Sequence, residues 1–226
     1  NKQIDAIITD PPYLLSNGGI TFRGDKQSTV NKNFDDTRGI TVAPAQWVPQ
    51  VVQHLKPGGA LVATCSPHIL YELADACRSL GLDVDRDIAI WAKPSAPPLL
   101  SADRLRANFE FIFIAYKPGA SYVFNYDEFR KVYDGQPDRV FTVNQCSGNE
   151  RLGWHDTQKP MELAEKLVRL YVPPDGLMLD PFAGSATFSA AAKQIGRRSV
   201  WVEKKPDFYS KAELRLTETP FEWEVR

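Results

Sequence analysis

The first apolar run of the chain, Ile4 to Thr9, is short and partly β-branched, which predicts a buried strand. The hydrophobic spacing turns helical over Pro44 to Leu55, where Trp47, Val48, Val51, Val52 and Leu55 fall on one face. Lys56-Pro57-Gly58-Gly59 closes that helix as a turn. Ala60 to Cys65 reads as the next strand and Ile69 to Leu80 as the next helix, ended by Gly81. Asp87 to Lys93 and Phe109 to Lys117 predict two more strands. Between them "PSAPPLLSADRLRAN" carries three prolines, which excludes regular structure. Met161 to Tyr171 is helical by the spacing of Leu163, Ala164, Leu167, Leu170 and Tyr171, and Pro173-Pro174-Asp175-Gly176 stops it. Leu177 to Leu179 then predicts a strand, Thr187 to Ile195 a helix, Ser199 to Val202 a strand and Asp207 to Leu216 a helix.

Two stretches carry neither period. Ser16 to Gly39 is polar and rich in Gly, Asn, Asp and Lys, and reads as a long mobile loop of the kind that serves function or stays disordered. Pro118 to Trp154 has weak, mixed periodicity and reads as a small insert outside the main sheet. Alternating strands and helices elsewhere predict an α/β layered sheet. In such sheets ligands bind at the carboxyl ends of the strands.

Two strand ends, far apart in sequence, carry unusual chemistry. The later one lies in "GLMLDPFAGSATFSAAAKQIGRRSVWVEKK", Gly176 to Lys205. A strand ends in Asp180, a turn holds Ala183, Gly184 and Ser185, a helix follows, and a second strand ends in Glu203. Small residues let backbone amides approach a ligand, and the helix N-terminus favours an anionic group. An acid about 20 residues beyond the glycine turn would accept both hydroxyls of a ribose. The stretch is not GxGxxG and no P-loop lysine follows, which weakens dinucleotide and nucleoside triphosphate readings. Asp180 would repel a pyrophosphate, but would suit the ammonium of an amino-acid moiety such as that of S-adenosyl-L-methionine. A tight structural turn explains the residues equally well at this point.

The earlier strand end is "AIITDPPYLL", Ala6 to Leu15. Pro11 and Pro12 stiffen the turn and leave their carbonyls free as acceptors. Asp10 and one such carbonyl would each take an N–H of an exocyclic nucleobase amine and stabilise the positive charge that develops on its nitrogen. Tyr13 would offer a stacking face. A capped structural turn is the competing account for this stretch alone.

"DPPY" at Asp10 to Tyr13, "HDTQKP" at His155 to Pro160 and "DPFAGSAT" at Asp180 to Thr187 resemble the amino-directed DNA methyltransferases. With the amine clamp first and the cofactor site last, the order resembles their beta group, a circular permutation of the fold. "IWAKPSAPP" and "NFEFIFIAYKPG" also resemble the middle segments of the family. The resemblance implies a Rossmann-like S-adenosylmethionine-dependent methyltransferase fold with a seven-stranded mixed sheet. It implies methyl transfer from S-adenosyl-L-methionine to a flipped-out base of double-stranded DNA, with Asp10, Pro11, Pro12 and Tyr13 catalytic. Asp180, Phe182, Ala183, Gly184 and Ser185 fall on the cofactor loop and Glu203 on the ribose acid. Thr157, Lys159 and Asp10 lie towards the methionine end. His155 and Gln158 belong to the same motif without a defined role. Residues 1–117 then form the catalytic half, 118–154 a target-recognition insert and 155–226 the cofactor-binding half. Relatives usually carry a further cofactor-facing segment before the clamp strand. The chain opens without Met a few residues before that strand, so more sequence is expected upstream.

The net charge of −1 provides no bulk attraction to nucleic acid, so positive charge has to be local. Candidate DNA contacts are Arg23, Lys26, Lys32 and Arg38 in the long loop, Arg104 and Arg106 in the proline-rich connection, and Arg130 and Lys131 in the insert. The insert is too small for its own core, so it packs on the main domain or a partner subunit shares recognition. A homodimer and a restriction endonuclease partner both suit this reading. Cys65, Cys77 and Cys146 are scattered and none follows a proline, which excludes a zinc ribbon and the nucleophile of C5-cytosine methylation. His54, His68 and His155 have no metal-ligand spacing. No segment predicts a membrane span, the cysteine usage favours a reducing compartment, and the family resemblance implies a cytoplasmic protein of bacterial, archaeal or phage origin. Asp at the head of the clamp resembles adenine-N6 enzymes more than cytosine-N4 enzymes. The alternatives are N4-cytosine transfer by the same clamp, a non-catalytic DNA-binding partner and, ranked low, an RNA-directed enzyme.

Overall fold

A computed structural model of the chain describes residues 3–13, 21–23, 26–28, 42–96, 98 and 105–219. In chain order its elements are β1 (Ile4–Thr9), β2 (Thr21–Arg23), β3 (Lys26–Ser28), α1 (Pro44–Val52), β4 (Leu55–Cys65), α2 (Pro67–Ser79), β5 (Asp83–Val84), β6 (Ala89–Ala92) and β7 (Phe109–Tyr116). There follow α3 (Tyr126–Tyr133), β8 (Val140–Thr142), a single 3-10 turn (Gly148–Glu150), α4 (Met161–Tyr171), β9 (Leu177–Asp180), α5 (Thr187–Gln194), β10 (Arg198–Trp201) and α6 (Pro206–Glu218).

The main sheet runs β10-β9-β1-β4-β7-β6-β8, with β5 added against β7. Along that path β7 alone runs against its neighbours. Apolar side chains leave both faces of the central strands, because helices cover both. Ala6, Ile8, Val62 and Ile112 pack with Leu163, Leu167 and Ala191 of α4 and α5. Ile7, Leu61, Ala63 and Phe113 pack with Val48, Val52, Ile69 and Leu73 of α1 and α2. The mixed sheet expected from the family resemblance is therefore present, and the strands of "AIITDPPY" and "LMLDPFAG" are adjacent in it.

Several local expectations are corrected. β4 starts at Leu55 and not at Ala60, because Ile4 pairs with Leu55 and Ala6 with Ala60, leaving Lys56–Gly59 bulged out. Gly58 serves that bulge with a φ of +81°, and a Cβ there would lie 2.3 Å from the Ser121 carbonyl oxygen. The bulge thus brings the start of the insert against the sheet. The insert is not outside the sheet either. Its strand β8 pairs in parallel with β6, but only Phe141 of its three residues is buried, too few to show a period. α3 buries only Phe129. Within the long polar stretch, β2 (Thr21–Arg23) and β3 (Lys26–Ser28) pair antiparallel.

Candidate active site

Four neighbouring strands each deliver one polar side chain to the same edge of the sheet. Asp10 follows β1, Thr64 lies near the end of β4, Glu110 near the start of β7, and Lys93 follows β6. The stiff Pro11–Pro12 turn swings Tyr13 back over this edge. The Tyr13 hydroxyl lies 2.8 Å from Asp10 Oδ1 and 2.7 Å from Glu110 Oε2, so its one proton serves two carboxylates. Thr64 donates to Asp10 Oδ1 at 2.5 Å. Lys159, in the segment before α4, donates to Asp10 Oδ2 and lies 3.5 Å from Glu110 Oε2. Lys93 donates to Glu110 Oε1 and sits 4.3 Å from the Trp91 ring centroid.

The charges in this cluster set one another. Burial works to raise the Glu110 carboxyl, but the Lys159 and Lys93 ammonium groups outweigh it and hold it below the usual carboxylate value. Burial works against the Lys159 ammonium, and the Asp10 and Glu110 carboxylates overcome that and hold it charged. Burial, with both carboxylates, pushes the Tyr13 hydroxyl well above its ordinary range. Lys159 Nζ lies 5.4 Å from the Tyr13 ring centroid. An N–H donor thus already sits on Asp10 beside that ring, where the sequence places a target amine.

The second strand end is built mostly from backbone. After β9 the turn runs through Phe182, Ala183, Gly184 and Ser185 into α5. Gly184 has a φ of +53°, and a Cβ there would lie 2.6 Å from His155 Nε2. Glu203 Oε2 accepts from Gly184 N at 2.9 Å and its Oε1 accepts from Lys205 N at 2.7 Å. Each oxygen keeps another lone-pair direction for a ligand. Phe182 packs edge-on against Trp47 with centroids 5.2 Å apart. His155 packs on Phe208, its Nδ1 is buried without a hydrogen-bond partner, and burial pushes its imidazole down.

The two ends open on one cavity of about 550 Å³. Asp10, Pro11, Pro12 and Tyr13 line it, as do Thr157, Lys159, Phe182, Ala183, Gly184, Ser185 and Glu203. Asp180 does not. It is fully buried, with Oδ1 accepting from Thr9 Oγ1 at 2.6 Å and Phe182 N at 3.2 Å, and Oδ2 left without a partner. Burial pushes its carboxyl up to about 7. In this structure it ties the end of β1 to the turn after β9 and does not face the cavity. Gln158 also acts structurally, donating to the Glu150 carbonyl at 2.9 Å and accepting from Leu152 N at 3.0 Å.

The candidate DNA contacts are dispersed. Arg23 and Lys26 belong to the β2–β3 hairpin, while Lys32, Arg38 and Arg104 lie outside the described residues. Arg106 is exposed and donates to the Ala96 carbonyl at 3.0 Å. Arg130 and Lys131 are exposed on α3. The Asn125 amide before α3 donates to the Arg169 and Val172 carbonyls, at the end of α4 remote from Lys159. That places α3 away from the cavity. Thr64, Lys93 and Glu110 are additions to the site. Their signal was a polar residue inside or just after an otherwise apolar strand. Among the described residues no group of His, Cys, Asp and Glu is arranged to hold a metal, and no helix is long and apolar enough to cross a membrane.

A model of the DNA methylase family for N6 and N4 transfer matches residues 4–214. Among relatives, the type II methyltransferase M2.MboI of Moraxella bovis is 29% identical over 96% of this chain and 82% of its own length. M2.DpnII of Streptococcus pneumoniae, also named a type II methyltransferase, is 30% identical over 95% and 83%. The crystal structure of an M1.HpyAVI–SAM complex superposes with a TM-score of 0.72 at 28% identity, covering 95% of this chain and 89% of that one. The PvuII cytosine-N4-specific DNA methyltransferase shares the fold, with a TM-score of 0.70 at 19% identity over 95% and 79%. The family match runs through both strand ends and the sheet that joins them, so the chain belongs to the N6/N4 DNA methylase family.

Proposed function

We propose that this enzyme methylates the exocyclic N6 of adenine in double-stranded DNA, using S-adenosyl-L-methionine. The observation that carries the reading is the Lys159 N–H donor held on Asp10 beside the Tyr13 ring, at the rim of the cavity that the Gly184 turn shares. The cavity fits the cofactor. Gly184 and Ala183 keep the turn open, and Glu203 lines it with an acidic acceptor. When bound, the cofactor supplies an electrophilic methyl group. Asp10 accepts an N–H of the target amine and stabilises the positive charge that grows on its nitrogen. Thr64 and Tyr13 hold the Asp10 carboxylate in place, so little rearrangement accompanies that charge. Tyr13 and the prolines form the wall against which the base lies. The target leaves the duplex to reach this depth, at a cost of a few kcal/mol. Glu203 takes the ribose hydroxyls of the cofactor, and Thr157 lies towards its methionine end.

Adenine is favoured over cytosine by the acid at the head of the clamp. The hairpin carrying Arg23 and Lys26, together with Arg106, is the proposed phosphate-contacting surface. Gln145, near the end of the insert, lines the cavity, and its amide is a proposed contact to the target base. Purified protein with labelled cofactor and unmethylated DNA is expected to transfer label, and Asp10→Ala to lose that transfer. Digestion to nucleosides then separates N6-methyladenine from N4-methylcytosine. DNA binding without transfer by the wild type would establish the non-catalytic alternative.

A further inference from the structure

Lys159 and a target amine need the same oxygen. Asp10 Oδ1 is taken by Thr64 and Tyr13, and Oδ2 carries the Lys159 ammonium. An amine entering beside that ammonium would meet a carboxylate already neutralised, with a positive charge next to its own developing one. Glu110 is arranged to resolve this. Its Oε2 lies 3.5 Å from Lys159 Nζ, so a shift of about 0.7 Å makes a full hydrogen bond. Its Oε1 is held by Lys93, and the Tyr13 hydroxyl fixes Oε2 at 2.7 Å. Two carboxylates and two ammonium groups balance in this buried cluster. Moving Lys159 from one carboxylate to the other therefore costs no net charge.

We infer that Glu110 is a positioning residue of the methyl transfer. It takes over the Lys159 ammonium as the target amine enters, and so leaves the Asp10 charge to the attacking nitrogen. This rests on the amino methyltransferase reading of the site, in which Lys159 is a placeholder for the amine and Glu110 the acceptor that receives it.

A double-mutant cycle on the single-turnover rate tests this, with unmethylated plasmid DNA as substrate. Glu110→Gln is expected to slow transfer at least about tenfold, with calorimetric affinity for S-adenosylmethionine within about threefold of wild type. In a Lys159→Met background, where Asp10 has no competing ammonium, the same Glu110→Gln change is expected to cost no more than about threefold. Lys159→Gln replaces Lys159→Met if the latter does not fold. A Glu110→Gln rate within about twofold of wild type overturns the inference, as does an equal loss in both lysine backgrounds, the mark of a merely structural carboxylate. A wild-type protein that transfers nothing to DNA overturns the reading of the site and this inference with it. A wild type that transfers, with Glu110→Gln unimpaired, overturns the inference alone.

Discussion

The ends of β1 and β9 stand side by side over one cavity, yet they are made of different materials. At the β1 end two carboxylates, two ammonium groups, a phenol and a threonine hydroxyl are drawn together from four strands and a loop. At the β9 end the cavity meets a glycine turn, the rings of Phe182, His155 and Phe208, and Glu203, whose carboxylate braces the turn itself. The difference follows from what each end handles. Charge that moves during reaction needs groups that compensate it. A bound group that only has to be held needs shape, and shape is supplied by a glycine turn and the flat rings around it.

That contrast can be broken, first and hardest, at Asp10. Asp10→Ala is expected to lower the single-turnover transfer rate on the order of 10²–10³-fold. Cofactor affinity, read by calorimetry, should stay within a few-fold, because the other end does the holding. A loss of cofactor binding equal to the loss of rate would erase the division of labour. Gly184→Ala should do the reverse. Its Cβ would meet His155 Nε2 at 2.6 Å from a backbone at φ +53°, so cofactor affinity is expected to fall about 10–30-fold. Adding His155→Ala should return part of that, since the clash goes and the left-handed backbone strain remains.

A third test sharpens the comparison through pH. Asp180 sits between the two ends with its folded carboxyl raised to about 7. Between about pH 4 and pH 7 the unfolded chain has ionised this group while the folded chain still keeps its proton, so stability falls as pH rises, and the loss is complete above the folded value. Asp180→Asn removes that contribution. Its unfolding free energy relative to wild type is expected to improve by about 2–3 kcal/mol between pH 5 and pH 8 in parallel urea titrations. An unchanged difference across that range would mean Asp180 is not held neutral. Gln158→Ala should cost about 1 kcal/mol of stability through two lost backbone hydrogen bonds, measurable by thermal melting. The smallest effect is expected at α3. Arg130→Ala with Lys131→Ala should change DNA affinity less than about twofold, because α3 packs at the end of α4 remote from the cavity. A larger loss in a filter-binding titration would put the duplex on that face.

The β1 and β9 ends differ as well in how much of each the sequence shows. The glycine turn and Glu203 lie within one βαβ stretch, so local spacing exposes them. The clamp is legible at Asp10 to Tyr13 for the same reason. Its counter-charges are not, since Thr64, Lys93 and Glu110 reach Asp10 only through strand pairing, and each alone reads as a stray polar residue in an apolar run. Asp180 shows the opposite case. Its place in the motif is local and legible, but the bond from the Thr9 hydroxyl to its Oδ1, which leaves Oδ2 without a partner, comes only from the pairing of β1 with β9. β8 escaped because three residues carry no period, and β4 was cut short because Pro57-Gly58-Gly59 forms a bulge in the strand as readily as a turn before it.

The Gln158 amide is a staple with two legs. One grips the Glu150 carbonyl and the other the Leu152 amide, while the Glu150 carboxylate itself accepts from Met161 N at 2.7 Å. The close of the insert and the stretch bearing Thr157 and Lys159 are thereby tied to one another. The position of residues 150–152 therefore bears directly on the segment that carries the lysine held at Asp10.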